Sequence, residues 1–147
     1  MNVIEINGLT KKYSDFTLDN VSMDIPEGTI MGLVGENGAG KSTLIRLIMN
    51  TAGNYSGNIS VFGTDNTDPA FSEKKDDIGI VLDEAFFPEV LNAKQINSFF
   101  KHIYSRWDEE CFKNYLRRFS LPEKKVFKDY SRGMKMKLSL AAALSHS

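Results

Sequence analysis

The spacing of apolar positions changes character part-way along this chain. In the first half the apolar residues fall in short runs. Val3-Ile4-Glu5-Ile6 and the alternating Val21-Ser22-Met23-Asp24-Ile25 predict two strands, and Pro26-Glu27-Gly28 marks a turn after the second. Ile30-Met31-Gly32-Leu33-Val34 is continuously apolar, the pattern of a strand buried on both faces. Lys41 to Thr51 places Leu44, Leu47 and Ile48 on one helical face, with Gly53 just past its end. Asn58 to Phe62 alternates again between Gly57 and Gly63, and residues 64–77 are polar enough to predict a loop or a frayed helix. Ile78 to Leu82 is a second buried-strand candidate. Beyond it the period becomes helical. Ala93–Tyr104 and Asp108–Phe119 carry apolar residues three and four apart, and Asp108 is placed to cap the second helix. A last helix is expected from Ser131 to the C-terminus, with Leu138, Ala141 and Leu144 facing inward.

Composition adds little to that picture and charge adds somewhat more. With 41% hydrophobic and 25% charged residues, the 147-residue chain has the balance of one packed globular domain. Its net charge of −1 gives no global argument for nucleic acid or an anionic membrane. The distribution is uneven: residues 1–100 hold 7 basic against 14 acidic side chains, whereas 101–137 hold 11 against 5. The basic stretch is either a solvated helical face or a docking face. Cys111 is the only cysteine, so no internal disulfide can form and a cytosolic setting fits. No apolar run approaches the ~18 residues of a membrane span, and Met1 to Glu5 lacks the charged-then-apolar order of a signal peptide.

The chemistry is concentrated between the third apolar run and the first helix. Gly35-Glu36-Asn37-Gly38-Ala39-Gly40-Lys41-Ser42 fits Gly-x-x-x-x-Gly-Lys-Ser between a strand and a helix. Glycines let the backbone curl so that its amides converge on phosphate oxygens, and the helix that follows directs its positive end at the same charge. Lys41 would reach the β- and γ-phosphates, and the Ser42 hydroxyl would ligate Mg²⁺. The residues expected to bind ATP are therefore Gly35, Glu36, Asn37, Gly38, Ala39, Gly40, Lys41, Ser42 and Thr43.

With this loop in place, further segments in the expected order resemble the nucleotide-binding domain of ABC transporters. Leu9-Thr10-Lys11-Lys12-Tyr13 looks like the family's adenine-stacking segment, which implies that Tyr13 stacks on the base; the other reading of Tyr13 is an ordinary half-buried strand residue. Leu18 to Gly28 is similar to the strand and turn that lead into the loop. Tyr130-Ser131-Arg132-Gly133-Met134 resembles the signature motif, usually Leu-Ser-Gly-Gly-Gln. That implies that Ser131, Arg132 and Gly133 face a nucleotide held by the opposite subunit of a dimer. Taken alone, the same residues read as a capped helix, and Arg132 puts a bulky cation where a glycine is usual. Asp83 stands where the family has a glutamine that senses Mg²⁺ and meets the membrane subunit. Ile78 to Glu84 can also be read as a Walker B strand with Asp83 holding Mg²⁺, but the signature-like motif then comes in the wrong order. The Leu-Asp-Glu loop, Trp107-Asp108, Leu121-Pro122 and Ser-Arg-Gly-Met-Lys look like small bacterial exporter ATPases of the bacitracin-resistance type.

The resemblance implies an α/β P-loop NTPase core of parallel strands and helices, an N-terminal antiparallel β subdomain and a helical subdomain. The expected division is 1–85 for the core with its β subdomain and 86–147 for the helical part with the signature helix. Walker B, its catalytic glutamate and the switch histidine would lie beyond residue 147. On this reading the chain is the N-terminal part of a larger domain, holds no catalytic residue, and is inactive alone. His102 and His146 read as surface residues without metal-ligand company. The implied function is the ATP-binding subunit of an ABC transporter, an ATPase using ATP and Mg²⁺. The implied partners are a second nucleotide-binding domain and a membrane-spanning subunit, with no nucleic acid, at the cytoplasmic face of the membrane. The alternatives are a soluble ABC-type ATPase acting on ribosomes or DNA, or an unrelated P-loop NTPase that uses Asp83.

Overall fold

A computed structural model describes residues 1–82 and 87–146. The chain divides into two compact units, Met1–Lys75 and Asp76–Ser147. The run from Asp76 is tied to the helices of the second unit, whereas the expected division was at 85/86. Asp76 accepts from Ser105 Oγ at 2.9 Å, and Asp77 is paired with Arg106 at 2.7 Å.

The first unit is built on a four-stranded antiparallel sheet ordered β2-β1-β3-β4, with β1 at Asn2–Lys12, β2 at Thr17–Pro26, β3 at Ser56–Val61 and β4 at Thr64–Asp65. β1 is paired on both sides: Ile4 faces Ile25 of β2 and Val61 of β3, and Ile6 faces Met23 and Ile59. One face of the sheet buries Ile6, Leu9, Ile59 and Val61. The helix α1 (Lys41–Ile48) lies against β3 and buries Leu44 and Leu47, and the short α2 (Phe71–Lys74) buries Phe71. Gly57, at φ 95°, passes so close to β1 that a Cβ would lie 2.5 Å from the Gly8 carbonyl oxygen, so only glycine fits there.

The second unit is helical: α3 (Ala93–Ile103), α4 (Glu109–Arg118) and α5 (Arg132–Ala143). Its core is Ala93, Ile96, Phe112, Leu116, Leu121, Phe127, Tyr130, Leu138, Ala141 and Ala142. Aromatic rings extend it, with Phe87 edge-on to Phe127 at 5.3 Å and Phe100 against Trp107 at 5.1 Å. The helix starts follow local chemistry. Asn92 and Gln95 form a reciprocal capping box on α3, and Asp108 accepts from Cys111 N–H on α4 as its sequence position indicates.

Two expected strands do not form ladders. Ile30–Val34 and Ile78–Leu82 run without strand partners among the described residues, and Ile30 and Val34 are almost wholly exposed. A run that is apolar on both faces becomes a buried strand only when other strands pair with both its edges, and no described residue does so here. Leu144 is also exposed rather than inward, because α5 ends at Ala143 and the chain turns there.

Asn66, 1% exposed, donates through Nδ2 to the carbonyl oxygens of Leu47 and Ile48 and accepts from the Tyr55 hydroxyl. Asn66→Ala leaves the Ile48 carbonyl without this donor, while Leu47 O keeps the Asn50 N–H at 2.9 Å, and should destabilise the first unit by about 1–3 kcal/mol, read by urea unfolding. Hydrogen bonds from Lys113 and then Lys101 hold the Glu109 carboxyl down, at about 2 against an ordinary 4.5. A depressed acid stabilises the fold above its unfolded pKa and loses that contribution as pH falls from 4.5 through about 2. A carboxyl-carbon titration should find Glu109 near 2, and Lys113→Met should move it back toward 4.5.

Candidate functional site

β2 delivers the chain through the turn at Pro26 to the extended run 30–34 and then into the glycine loop. Within the loop the Ala39 N–H donates to Glu36 O at 3.2 Å, and Gly38 and Gly40 adopt φ values of 86° and 93°. These left-handed positions reorient successive amides, which is how a short loop makes a concave anion cradle. α1 then begins at Lys41. No side chain caps its first turn and no acidic residue lies in it, so the amides and the positive helix end are left uncompensated. Lys41 Nζ donates to Gly35 O at 2.7 Å and Glu36 O at 2.8 Å, which sets its ammonium against the loop backbone. Ser42 is exposed on the first turn, whereas Thr43 is half-buried.

Gly40 is held from behind by a residue that the sequence reading passed over. A Cβ at Gly40 would lie 2.6 Å from Phe16 Cζ, so the Phe16 ring packs directly on the loop. Tyr13 N–H donates to Phe16 O at 2.7 Å, closing a tight turn, and the two rings stack at 6.4 Å. Tyr13 lies just past β1 with 42% of its surface exposed, and Lys11 Nζ lies 5.3 Å from its ring centre. It is thus an exposed aromatic face joined to the loop through Phe16, not a strand residue. The signal for Phe16 was present: a second aromatic three residues on, in an otherwise polar turn.

In the second unit Ser131 is the N-cap of α5 and its Oγ accepts from Met134 N–H at 3.3 Å. Tyr130 is buried and donates its hydroxyl to Pro122 O at 2.7 Å, which fixes the chain's entry into the helix. Ser131, Arg132 and Gly133 are all exposed, α5 has no acidic residue in its first turn, and a Cβ at Gly133 would meet nothing within 4 Å. This is a second exposed helix start, capped by Ser131 but without an acidic residue in its first turn.

Comparisons with known proteins bear on the family and the fold. The family model for the ABC transporter matches residues 18–147. The chain belongs to the ABC transporter family. It is 32% identical to an uncharacterised ABC transporter ATP-binding protein of Bacillus subtilis, over 98% of this chain and 47% of that protein. It is 31% identical to a bacitracin transport ATP-binding protein of Enterococcus faecalis, with the same coverage. The chain thus spans about half the length of the curated relatives it matches. Its fold is that of ABC ATPase subunits: one solved ATP-binding subunit superposes with a TM-score of 0.83 at 23% identity, over 95% of this chain and 60% of that one. A putative ABC ATP-binding protein from Pyrococcus furiosus gives 0.80, also at 23%, over 97% and 70%.

The structure joins Tyr13 and the glycine loop in the first unit of this ABC family chain and carries Ser131–Gly133 in the second. Asp83, expected at the glutamine position or as a Walker B ligand, lies outside the described residues. Among the described residues no group of three or more His, Cys, Asp or Glu side chains could hold a metal. Among the described residues no helix is long and apolar enough to cross a membrane. The histidines differ from expectation in one respect. His102 is exposed and bonded to Ser98 O, but His146 is buried because it stacks on Tyr104 at 4.2 Å.

Gly40→Ala should destabilise the first unit by at least about 1–2 kcal/mol from the left-handed backbone alone, with the Phe16 collision in addition. Combining it with Phe16→Ala should recover the steric part only, as a urea double-mutant cycle would show.

Proposed function

We propose that the protein to which this chain belongs is the ATP-binding subunit of an ABC transporter. It would couple ATP binding and hydrolysis to transport through a separate membrane subunit at the cytoplasmic face. The observation that carries this is the uncapped, glycine-wrapped start of α1 with Lys41 at its mouth, in a chain of this family.

In this reading Tyr13 stacks on adenine, the amides from Gly35 to Thr43 cradle the phosphates, and Lys41 leaves the Gly35 and Glu36 carbonyls for the β- and γ-phosphates. Mg²⁺ fits the donor set: it holds few protein ligands, keeps waters and binds mainly phosphate oxygens, and the exposed Ser42 hydroxyl supplies one ligand. The ion would neutralise charge on the transferring phosphoryl group. Asp83 would stand at the glutamine position. The exposed α5 start at Ser131, Arg132 and Gly133 suits a γ-phosphate offered by a second nucleotide-binding domain. Exposed Ser131 and Gly133 leave room for that approach, and Arg132 adds a cation beside it.

MgATP binding, followed by displacement of a fluorescent ATP analogue, tests the site. Lys41→Ala should weaken binding roughly 10- to 100-fold, the loss of a charge-assisted bond of about 1.5–3 kcal/mol. Tyr13→Ala should weaken it by about 1–3 kcal/mol of stacking, and Tyr13→Trp should restore it. An affinity indifferent to Lys41→Ala overturns the reading.

A further inference from the structure

The run from Asp76 to Leu82 leads to Asp83 and is attached to the helical unit at several points. Gly79 has no positive φ, yet a Cβ there would collide with the carbonyl oxygen of Ala143 and lie 3.1 Å from the Ala143 Cβ. Its glycine therefore serves close approach of backbone to backbone, at the last residue of α5. Just beyond, His146 is 5% exposed, and its Nδ1 lies 3.0 Å from the Asp76 carbonyl oxygen. Because that partner can only accept, Nδ1 carries the proton. The imidazole lies flat on Tyr104, with the planes 6° apart. Trp107 forms a backbone bridge with His146, and Asp108 N–H donates to Ser145 O at 2.7 Å. Ser105 and Arg106 complete the set by holding the Asp76 and Asp77 carboxylates. The Tyr104 hydroxyl is pushed above its usual pKa, first by burial and then by the Asp76 charge.

We propose that α5 is a strut that clamps residues 76–79 to the helical unit, with Gly79, Tyr104 and His146 as positioning residues for the approach to Asp83. The strut's other end is Ser131, about 18 Å away along 12 residues of helix. Backbone packed on backbone leaves no flexible side chain to absorb a displacement, so a shift of α5 along its axis is passed to Gly79. Ile80, Val81 and Leu82 have about a third of their surface exposed and project beyond the clamp. The inference rests on the proposed function only for its purpose: a nucleotide engaged at Ser131 would be felt at residues 76–79, on the approach to Asp83.

Backbone relaxation of the ¹⁵N-labelled 147-residue chain tests the clamp, with emission of Trp107, the only tryptophan, as a second readout. Residues 76–79 should show order parameters near 0.85, like those of α5. His146→Ala should lower them below about 0.6 and red-shift Trp107, while α1 and the sheet stay unchanged. His146→Gln, which keeps a donor, should restore most of the order. Residues 76–79 that stay equally ordered in His146→Ala, or that are no better in Gln than in Ala, overturn the proposal. If His146→Ala unfolds the unit, the exposed double variant Ser105→Ala, Arg106→Gln decides: loosened 76–77 supports the clamp and unchanged order overturns it. MgATP affinity in these variants should equal that of the parent. Failure of Lys41-dependent binding removes the functional reading and leaves the clamp to relaxation alone.

Discussion

The first unit depends on β1 being hydrogen-bonded along both edges. Backbone polar groups cannot be buried without partners, and β1 meets that requirement twice, through β2 on one side and β3 on the other. β2 then releases the chain at a fixed point toward the glycine loop, and β3 provides the surface on which α1 rests. The phosphate cradle is therefore a by-product of where two strands end and one helix is supported. Asn66 completes the arrangement by tying the far end of α1 to the β3–β4 side of the sheet.

What could be read from the sequence was short-range. The glycine loop, the Asp108 and Ser131 caps and the helical period after residue 93 are each decided within short stretches of sequence, and all appear in the structure. The strands Val3–Ile6 and Val21–Ile25 were also legible, the first as a short apolar run and the second because alternation reveals a strand with one buried face. Ile30–Val34 and Ile78–Leu82 were not, since an apolar run announces a need for partners without saying whether the chain meets it. His146 was missed for a related reason. Its burial comes from Tyr104 and Asp76, 42 and 70 positions away, and nothing local hints at either.

The candidate site shows the same division. Lys41 and the glycines were recognisable as a pattern, whereas the support behind them left only a faint signal, a second aromatic in a polar turn. Phe16 belongs to no motif, yet its ring lies where a side chain on Gly40 would have to go. Tyr13 was named as a stacking surface, and the structure adds how it is held: a turn closed onto Phe16 O and a lysine over the ring. Asp83 stays a matter of sequence, since it lies outside the described residues.

The glycines of the chain also differ in what they do for the fold. Gly57 and Gly79 are blocked by backbone atoms, so the fold itself excludes any other residue there, while Gly40 is blocked by the Phe16 ring. Gly133 is the opposite case, a glycine in the first turn of α5 with open space where a side chain would sit and no positive φ to justify it. Alanine there would firm up the helix by roughly 0.5–1 kcal/mol. Any programme that hardens this chain against heat by helix propensity alone would therefore choose residue 133 early. It would fill the one helical position whose emptiness the fold does not use.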